Sequence, residues 1–299
     1  MKTWTARDWI SACVQPGLVL GSMFAIAIMT VMDTNYKELF DAVMIVLPIP
    51  LCMLAERIWT KRKDWLLEPH EMAEDAMWLA AAAFLMIPLY SNLYRTPVSE
   101  GFKALRDISP LHINLEPTSV LGLIGCALLV KIVASFIYYW LHRIQHESLF
   151  WWRMHATHHH ITKMGCMRGD RTHPLEYLGL VIGTPIALAL LGASDGVMTV
   201  AGAFGIWNGT LNHSNLPLKS MPVYDWLFAT AQQHHIHHAH LRRHADSNYG
   251  CNIILWDRIF GTYCGEYNEG MIGAGKGVPL SIKDQLGMAF YTDEKLKSL

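Results

Sequence analysis

Long apolar runs are the feature that most restricts what this chain can fold into. A helix needs about 20 mainly apolar residues to cross a bilayer, and four stretches approach that length, at residues 11–32, 39–54, 76–94 and 118–140. Only 16% of the 299 residues are charged, whereas ordinary soluble domains have about 25%. The sequence therefore predicts an all-α integral membrane protein with about four transmembrane helices.

A further apolar region covers about residues 177–211 and is interrupted by Gly-Ala-Ser-Asp-Gly at 192–196. Such residues favour a turn, and each half is short for a full crossing. We therefore expect a shorter membrane hairpin that returns to its starting side.

Basic residues indicate how the spans are oriented. Loops rich in Lys and Arg stay in the cytosol. Such residues precede the first span and follow the second, namely Lys2, Arg7, Arg57, Lys61, Arg62 and Lys63. The chain after the fourth span is therefore expected to form a cytosolic helical cap, so that residues 1–140 are the transmembrane helical region and residues 141–299 the second region of one structural unit.

Charge and cysteine spacing exclude several classes of protein. The formal net charge is −1 at pH 7, whereas a nucleic-acid-binding domain would be strongly basic. None of the six cysteines forms a C-x-x-C pair, which excludes a zinc ribbon and a thioredoxin-like motif. The G-x-G-x-x-G fingerprint of dinucleotide-binding folds is also absent.

Histidines are concentrated after the fourth span, and their spacing repeats. Pairs at i, i+4 or triplets at i, i+3, i+4 lie on one face of a helix. The positions are His142 and His146, then His155, His158 and His159, then His234, His237 and His238, with His213 between the second and third clusters. Neutral imidazole is a common ligand of iron, zinc, copper and nickel. Nine phased histidines are too many for one metal site and suit two metal ions with about four or five ligands each. The alternative is a polar surface on which the histidines occur by chance.

Several other polar residues near the histidine motifs allow two interpretations. His173 is either a ligand or a hydrogen-bonding neighbour of the site. Glu147, Glu176 and Asp246 could accept N–H groups of ligand imidazoles or simply pair with arginines. The remaining histidines are interpreted as solvent, outer-shell or loop residues, namely His70, His112, His160, His235, His240 and His244. Asp257 and Arg258 are expected to form an ordinary surface pair.

These motifs resemble the fatty acid hydroxylase/sterol desaturase superfamily of integral membrane di-iron oxygenases. The matching pieces are LHRIQHE, WWRMHATHHH, RTHPLE, NHSN, HHIHH and the tail ADSNYGCNIILWDRIFGTY, within about residues 50–265. The resemblance implies that the nine phased histidines are iron ligands. Some relatives have a further histidine where this chain has Gly209. A water held by Asn208 or Asn212, or His173 itself, could take that place.

The resemblance also implies the reaction. Two irons would use O2 and two electrons to hydroxylate or desaturate a C–H bond of a fatty acyl, sterol or related lipid taken from the bilayer. A ferredoxin- or cytochrome b5-like carrier with its reductase would supply the electrons. Alternatives are an oxygenase of a carotenoid, ether lipid or hydrocarbon, and a histidine-rich metal transporter or sensor. The site would face the cytosol, in a bacterial inner membrane or an endoplasmic reticulum.

Overall fold

The computed structural model describes residues 4–110, 112–177, 182–266 and 270–299. Within these ranges the regular elements are helices, and β-bridges occur only as isolated pairs. The first helices are α1 (Ala6–Met32), α2 (Lys37–Val46), α3 (Pro48–Ile58), α4 (Pro69–Ala81), α5 (Ile87–Tyr90), α6 (Thr96–Ile108), α7 (Val120–Glu147) and α8 (Leu149–His159). Then follow α9 (Gly183–Leu191), α10 (Asp195–His213), α11 (Tyr224–Leu227), α12 (Ala231–His237), α13 (Arg242–Ala245), α14 (Leu255–Ile259), α15 (Ile282–Gly287) and α16 (Asp293–Ser298).

Four helical stretches are long and apolar enough to cross a bilayer. They are α1, the α2–α3 stretch Lys37–Ile58, the stretch Pro69–Ile108 and α7. Large apolar side chains on these stretches point outward, among them Phe84, Ile58 and Leu121, as expected for helices whose outer face meets lipid. The predicted fold class, an all-α membrane protein with about four spans, is confirmed.

The third span contains two π-helical segments, Ala82–Met86 and Ser91–Arg95, on either side of α5. Pro88 lies in α5, and a proline ring clashes with the carbonyl one turn earlier and leaves it without a donor. Wider π turns are a recognised way to absorb such an interruption without ending the helix. The helix therefore continues past residue 94, where the sequence predicted its end, to Ile108.

The chain turns at Gly192, inside the break predicted for the hairpin. Gly192 ends α9 with a φ of 55°, a left-handed conformation that favours glycine, and Ser194 caps α10. Both helices pack against α7, but α9 also packs against α6 and α10 against α1. Residues 178–181 of the predicted hairpin lie outside the described residues.

A buried amide fixes α1 against α10. Gln15 is 1% exposed, and its Nε2 donates to Oδ1 of Asn208 at 2.9 Å and of Asn212 at 2.7 Å. Hydrogen bonds within an apolar core specify register, because breaking one leaves a buried polar group unsatisfied. The contact therefore positions the last turn of α10, which ends at His213.

The loop after α13 is organised by one buried carboxylate. Asp257 is fully buried and accepts the backbone N–H groups of Tyr249 and Gly250, each at 2.8 Å, and the hydroxyl of Thr262 at 2.7 Å. Arg258 donates instead to the carbonyl oxygens of Asp225 and Trp226. The expected Asp257–Arg258 surface pair is therefore wrong, because the carboxylate is needed to satisfy the N–H groups of a tight loop.

Candidate metal centre

The end of α7 and the whole of α8 carry five of the phased histidines. His142 and His146 lie on the last two turns of α7. Ser148 has an extended backbone and separates α7 from α8, so α8 turns back towards the same region. This short connection brings His155, His158 and His159 close to the pair on α7.

Two further elements complete the centre. His213 is the last residue of α10. Thr230 and Gln233 form a capping box that starts α12, and α12 carries His234 and His237, with His238 directly after it. An N-terminal cap fixes the point where a short helix begins, and therefore the direction in which its side chains point.

The nine imidazoles form two buried groups. In each group the candidate ligand atoms lie within 4.8 Å of one another. The first group has five members, His142, His146, His155, His159 and His237. The second group has four members, His158, His213, His234 and His238. Each H-x-x-H-H motif contributes to both groups, which the sequence spacing alone did not separate.

Distances between the Nε2 atoms suit metal ligation. The separation is 2.9 Å for His142–His155 and for His213–His234, and 3.1 Å for His142–His237. Nitrogens bound at about 2.0–2.1 Å to one ion stand roughly 3 Å apart at right-angled bonds. The Nε2 atoms of His146 and His159 are buried without a hydrogen-bond partner among the described residues. The donor set therefore fits two imidazole-ligated metal ions.

Burial keeps these imidazoles neutral. It lowers the pKa of His159, His237 and His238 well below the usual value of 6.5, and the neighbouring imidazoles lower it further. A neutral imidazole offers a lone pair to a metal, whereas a protonated one cannot. The packing of the groups therefore presents the form of histidine that binds metal.

Backbone carbonyls orient three of the rings through Nδ1. His142 Nδ1 is 2.6 Å from the oxygen of Tyr249, and His237 Nδ1 is 2.7 Å from that of Ser247. His213 Nδ1 is 3.0 Å from the oxygen of Gly209. An N–H donated from Nδ1 leaves the lone pair on Nε2 and holds the ring in place. These acceptors were missed in the sequence, because a backbone carbonyl has no side-chain signature.

Two of the predicted acidic partners contact the rings. Glu176 Oε1 is 2.5 Å from His155 Nδ1, and Asp246 Oδ1 is 3.3 Å from His146 Nδ1. Burial raises the pKa of Glu176 well above its usual range, against the Gln145 amide that donates to it. Burial also lowers the pKa of His155, so it disfavours the charged form of both side chains.

Three other predicted site residues contact different groups. Glu147 pairs with Arg143 at 2.7 Å, the salt bridge that was its alternative reading. Asn212 donates to the carbonyl of Cys251 and accepts from Gln15. His173 donates from Nε2 to the carbonyl of Leu286 and accepts the N–H of Leu175 at Nδ1. None of the three reaches either histidine group in the described part of the chain.

These contacts bear on which group could replace the histidine that some relatives have at the position of Gly209. Both nitrogens of His173 are occupied outside the groups, so this histidine does not substitute. Asn208, like Asn212, uses its amide to bind Gln15 and the Cys251 carbonyl. Gly209 itself contributes its carbonyl to His213. The second group therefore has four imidazoles.

A cavity of about 340 Å³ lies beside both groups. His155, His158 and His213 form one wall, and α7 contributes Ala134 and Tyr138 to another. Two of the three histidines belong to the group of four. A bound molecule in this cavity would therefore meet the group of four more than the group of five.

Comparison with known proteins identifies the segment that carries these groups. Residues 127–262 match the family model described as fatty acid hydroxylase. This segment contains every histidine of the two groups. The predicted resemblance is therefore confirmed. No solved structure matches the chain.

Curated relatives are each similar to about half of the chain or less. Ornithine lipid hydroxylase of Rhizobium tropici is 34% identical over 132 residues, which cover 44% of this chain and 40% of the relative. Alkylglycerol monooxygenase of Homo sapiens is 29% identical over 140 residues, 46% of this chain and 31% of the relative. A fatty acid hydroxylase of Lecanicillium sp is 27% identical over 163 residues, 50% of this chain and 44% of the relative. The chain thus spans less than half the length of these relatives.

Replacing one histidine of either group should release metal. We expect His237→Ala, from the group of five, and His158→Ala, from the group of four, each to lose at least one of about two ions per purified chain. Membrane insertion should be unchanged. Elemental analysis of the purified proteins measures this, with the exposed His70→Ala as the matched control. Full metal content in both group variants would contradict the assignment.

The orienting carboxylates should differ in importance. Glu176→Gln replaces the carboxyl group at His155 Nδ1 by an amide, and we expect metal affinity to fall about 10- to 100-fold. Asp246→Asn should have a smaller effect, since its contact is longer and its side chain is 32% exposed. Competition with a chelator measures the affinities. Glu147→Gln is the control, and an equal loss there would show that the effect is not specific.

The metal-free protein should lose stability in mild acid. The folded-state pKa values of the buried histidines are lowered, so the unfolded chain binds more protons below pH 6.5, and stability rises with pH. We expect the apparent Tm of the metal-free protein in detergent to fall by roughly 5 °C or more between pH 7 and pH 5.5. The metal-loaded protein is measured in parallel, and a Tm independent of pH would contradict this expectation.

Proposed function

We propose that this chain, of which residues 127–262 match the fatty acid hydroxylase family model, oxidises a C–H bond of a lipid with O2 and two external electrons. The observation that carries the proposal is the pair of buried, all-imidazole groups beside a cavity at the end of a membrane-spanning helix. The names of the matched relatives, a lipid hydroxylase and an alkylglycerol monooxygenase, support this class of reaction.

Each group would hold one iron ion through Nε2 atoms. Two irons would supply the activation of O2 and the removal of hydrogen from carbon, chemistry that acid and base side chains lack. The chain itself keeps the imidazoles neutral by burial and fixes their tautomers through Nδ1. Imidazole also suits zinc, copper and nickel, so the choice of iron rests on the family.

Of the two histidine groups, the group of four is the better candidate for the one that contacts substrate and O2. It offers one imidazole fewer than the other group, which leaves more of an ion's coordination to small molecules. His158 and His213 of this group line the 340 Å³ cavity. The carbon that is oxidised would therefore lie in the cavity, against these two histidines.

The location of the histidines disfavours the transporter alternative. In a transporter the ionisable ligands lie along the pathway within the spans. Here His142 and His146 lie on the last turns of α7, and the other members lie on α8, at the end of α10 and in the cap. A site at one end of the spans suits an enzyme that receives the reactive part of a lipid from the bilayer.

A cytosolic orientation of the site is supported by contacts of the basic loop after the second span. Lys61 Nζ is 2.9 Å from His235 Nδ1, next to the group residue His234, and Lys61 N donates to the carbonyl of Asn215. The basic loop and the histidine groups therefore lie at the same end of the spans. Basic loops remain cytosolic, where a ferredoxin- or cytochrome b5-like carrier could deliver electrons.

Oxygen transfer can be tested in cells that produce the protein. Under ¹⁸O2, membrane lipids should gain one labelled oxygen, or lose two hydrogens, relative to cells that produce His158→Ala, because that variant lacks a ligand of the group facing the cavity. Mass spectrometry of the lipid extracts measures both changes. His70→Ala should behave as the unmodified protein. Identical lipid profiles with the unmodified protein and His158→Ala, in cells that contain the reductase, would refute the proposal.

A further inference from the structure

A single lysine lies deep within the fourth span. Lys131 belongs to α7, and only 7% of its surface is exposed. It precedes His142 by 11 positions, which is about 16 Å along the helix axis. A charged side chain within a span is rare and marks a functional position unless it has a partner.

No partner for Lys131 is found in the described ranges 4–110, 112–177, 182–266 and 270–299. No carboxylate there lies within 4.0 Å of Nζ, and no hydrogen-bond acceptor is in contact with it. Nζ lies 5.8 Å from the centre of the Phe204 ring. A Cβ at Gly205 would lie 2.9 Å from Nζ. A glycine at this position of α10 therefore provides the space for the ammonium group.

Lys131 lies where two cavities adjoin. It lines the 340 Å³ cavity beside the histidine groups, and it also lines a cavity of about 820 Å³. Ile87 and Thr184 line both cavities as well. The larger cavity continues away from the histidines to Glu116, just before α7 begins. The ammonium group therefore stands between the reaction site and a larger space in the bundle.

The larger cavity has an excess of positive charge. Its lining contains four cations and two carboxylates, Arg95, Lys103, Arg106 and Lys131 against Glu100 and Glu116. Arg106 also pairs with Asp107. In the smaller cavity the carboxylates are Asp170 and Glu176, and Glu176 already contacts His155 and Gln145. A negative charge on a bound molecule would therefore be favoured on the side of Lys131 that faces away from the histidines.

We infer that Lys131 binds an anionic oxygen group, a carboxylate or a phosphate, of an amphiphilic lipid substrate. The inference rests on the proposed function and narrows its substrate to anionic lipids. The anionic group would compensate the buried ammonium, and the apolar chain would extend into the cavity beside His158 and His213. Lys131 would then determine which carbon of the lipid reaches the histidine groups, because the distance between Lys131 and these groups is fixed by the fold.

Binding of charged and neutral amphiphiles tests this assignment without requiring turnover. The full chain, metal-loaded in a non-ionic detergent, is dialysed against palmitate, hexadecyl phosphate or 1-hexadecanol at equal mole fraction in the micelles. We expect the protein to prefer the two anions over the alcohol. Lys131→Met should reduce this preference roughly 10- to 100-fold, as expected for loss of a charged hydrogen bond, whereas Lys131→Arg should keep most of it.

Two further variants distinguish loss of the Lys131 charge from a general loss of folding. Leu129→Met places the same methionine side chain on α7 without removing a charge, at a position that is 41% exposed, and it should leave the preference intact. Gly205→Ala keeps the lysine but fills the space beside Nζ, and it should weaken the preference even if Lys131→Met fails to fold. Metal content measured in each variant confirms that the histidine groups are intact.

The outcomes distinguish the inference from the proposed function. Equal preference for anions in the unmodified protein, Lys131→Met and Gly205→Ala would overturn the role of Lys131. Inorganic phosphate is dialysed as a fourth ligand, and if it binds as tightly as hexadecyl phosphate, the assignment to a lipid is overturned. If anion preference depends on Lys131 but lipids neither gain ¹⁸O nor lose two hydrogens, the binding role stands and the oxygenase proposal fails.

Discussion

Nine imidazole rings in two buried groups bring nitrogen lone pairs close together, and only a cation or a proton between them removes the resulting repulsion. Nε2 atoms that face one another at 2.9–3.3 Å repel when both carry lone pairs. Burial disfavours the proton, since it lowers the pKa of these histidines. A metal ion in each group would remove this repulsion and would link α7, α8, α10 and α12. The cap would then be joined to the spans by coordination as well as by packing.

The sequence predicted the members of the centre but not their division into groups. Helical phase indicated that His155, His158 and His159 lie on one face of a helix, because i, i+3 and i+4 positions share a face. It could not indicate that His158 turns to His213 while His155 and His159 turn to His142 and His146. That division depends on how α8 and α12 pack against α7 and α10, which are contacts between residues far apart in the chain. The ligand role of the nine stays a proposal.

The four spans were predictable because an apolar run of sufficient length has few other folds available in a membrane protein. The supporting polar contacts were not. Asp257 was interpreted as a surface residue, yet it holds the loop whose Tyr249 carbonyl orients His142. In the sequence, Lys131 is one charge in an otherwise apolar span. Its surroundings depend on Gly205 and on two cavities that only the folded chain creates.

The carbonyl acceptors at Gly209, Ser247 and Tyr249 have a consequence for how such a centre can evolve. An amino-acid exchange replaces a side chain and leaves the peptide oxygen in place, so these positions can vary while the ring they hold keeps its tautomer. Glu176 and Asp246 offer no such tolerance, since their acceptor is the side chain itself. Point mutations that change how a ring is held at Nδ1 would therefore act mainly at these two acidic residues, while the three rings held by carbonyl oxygens would keep their acceptors.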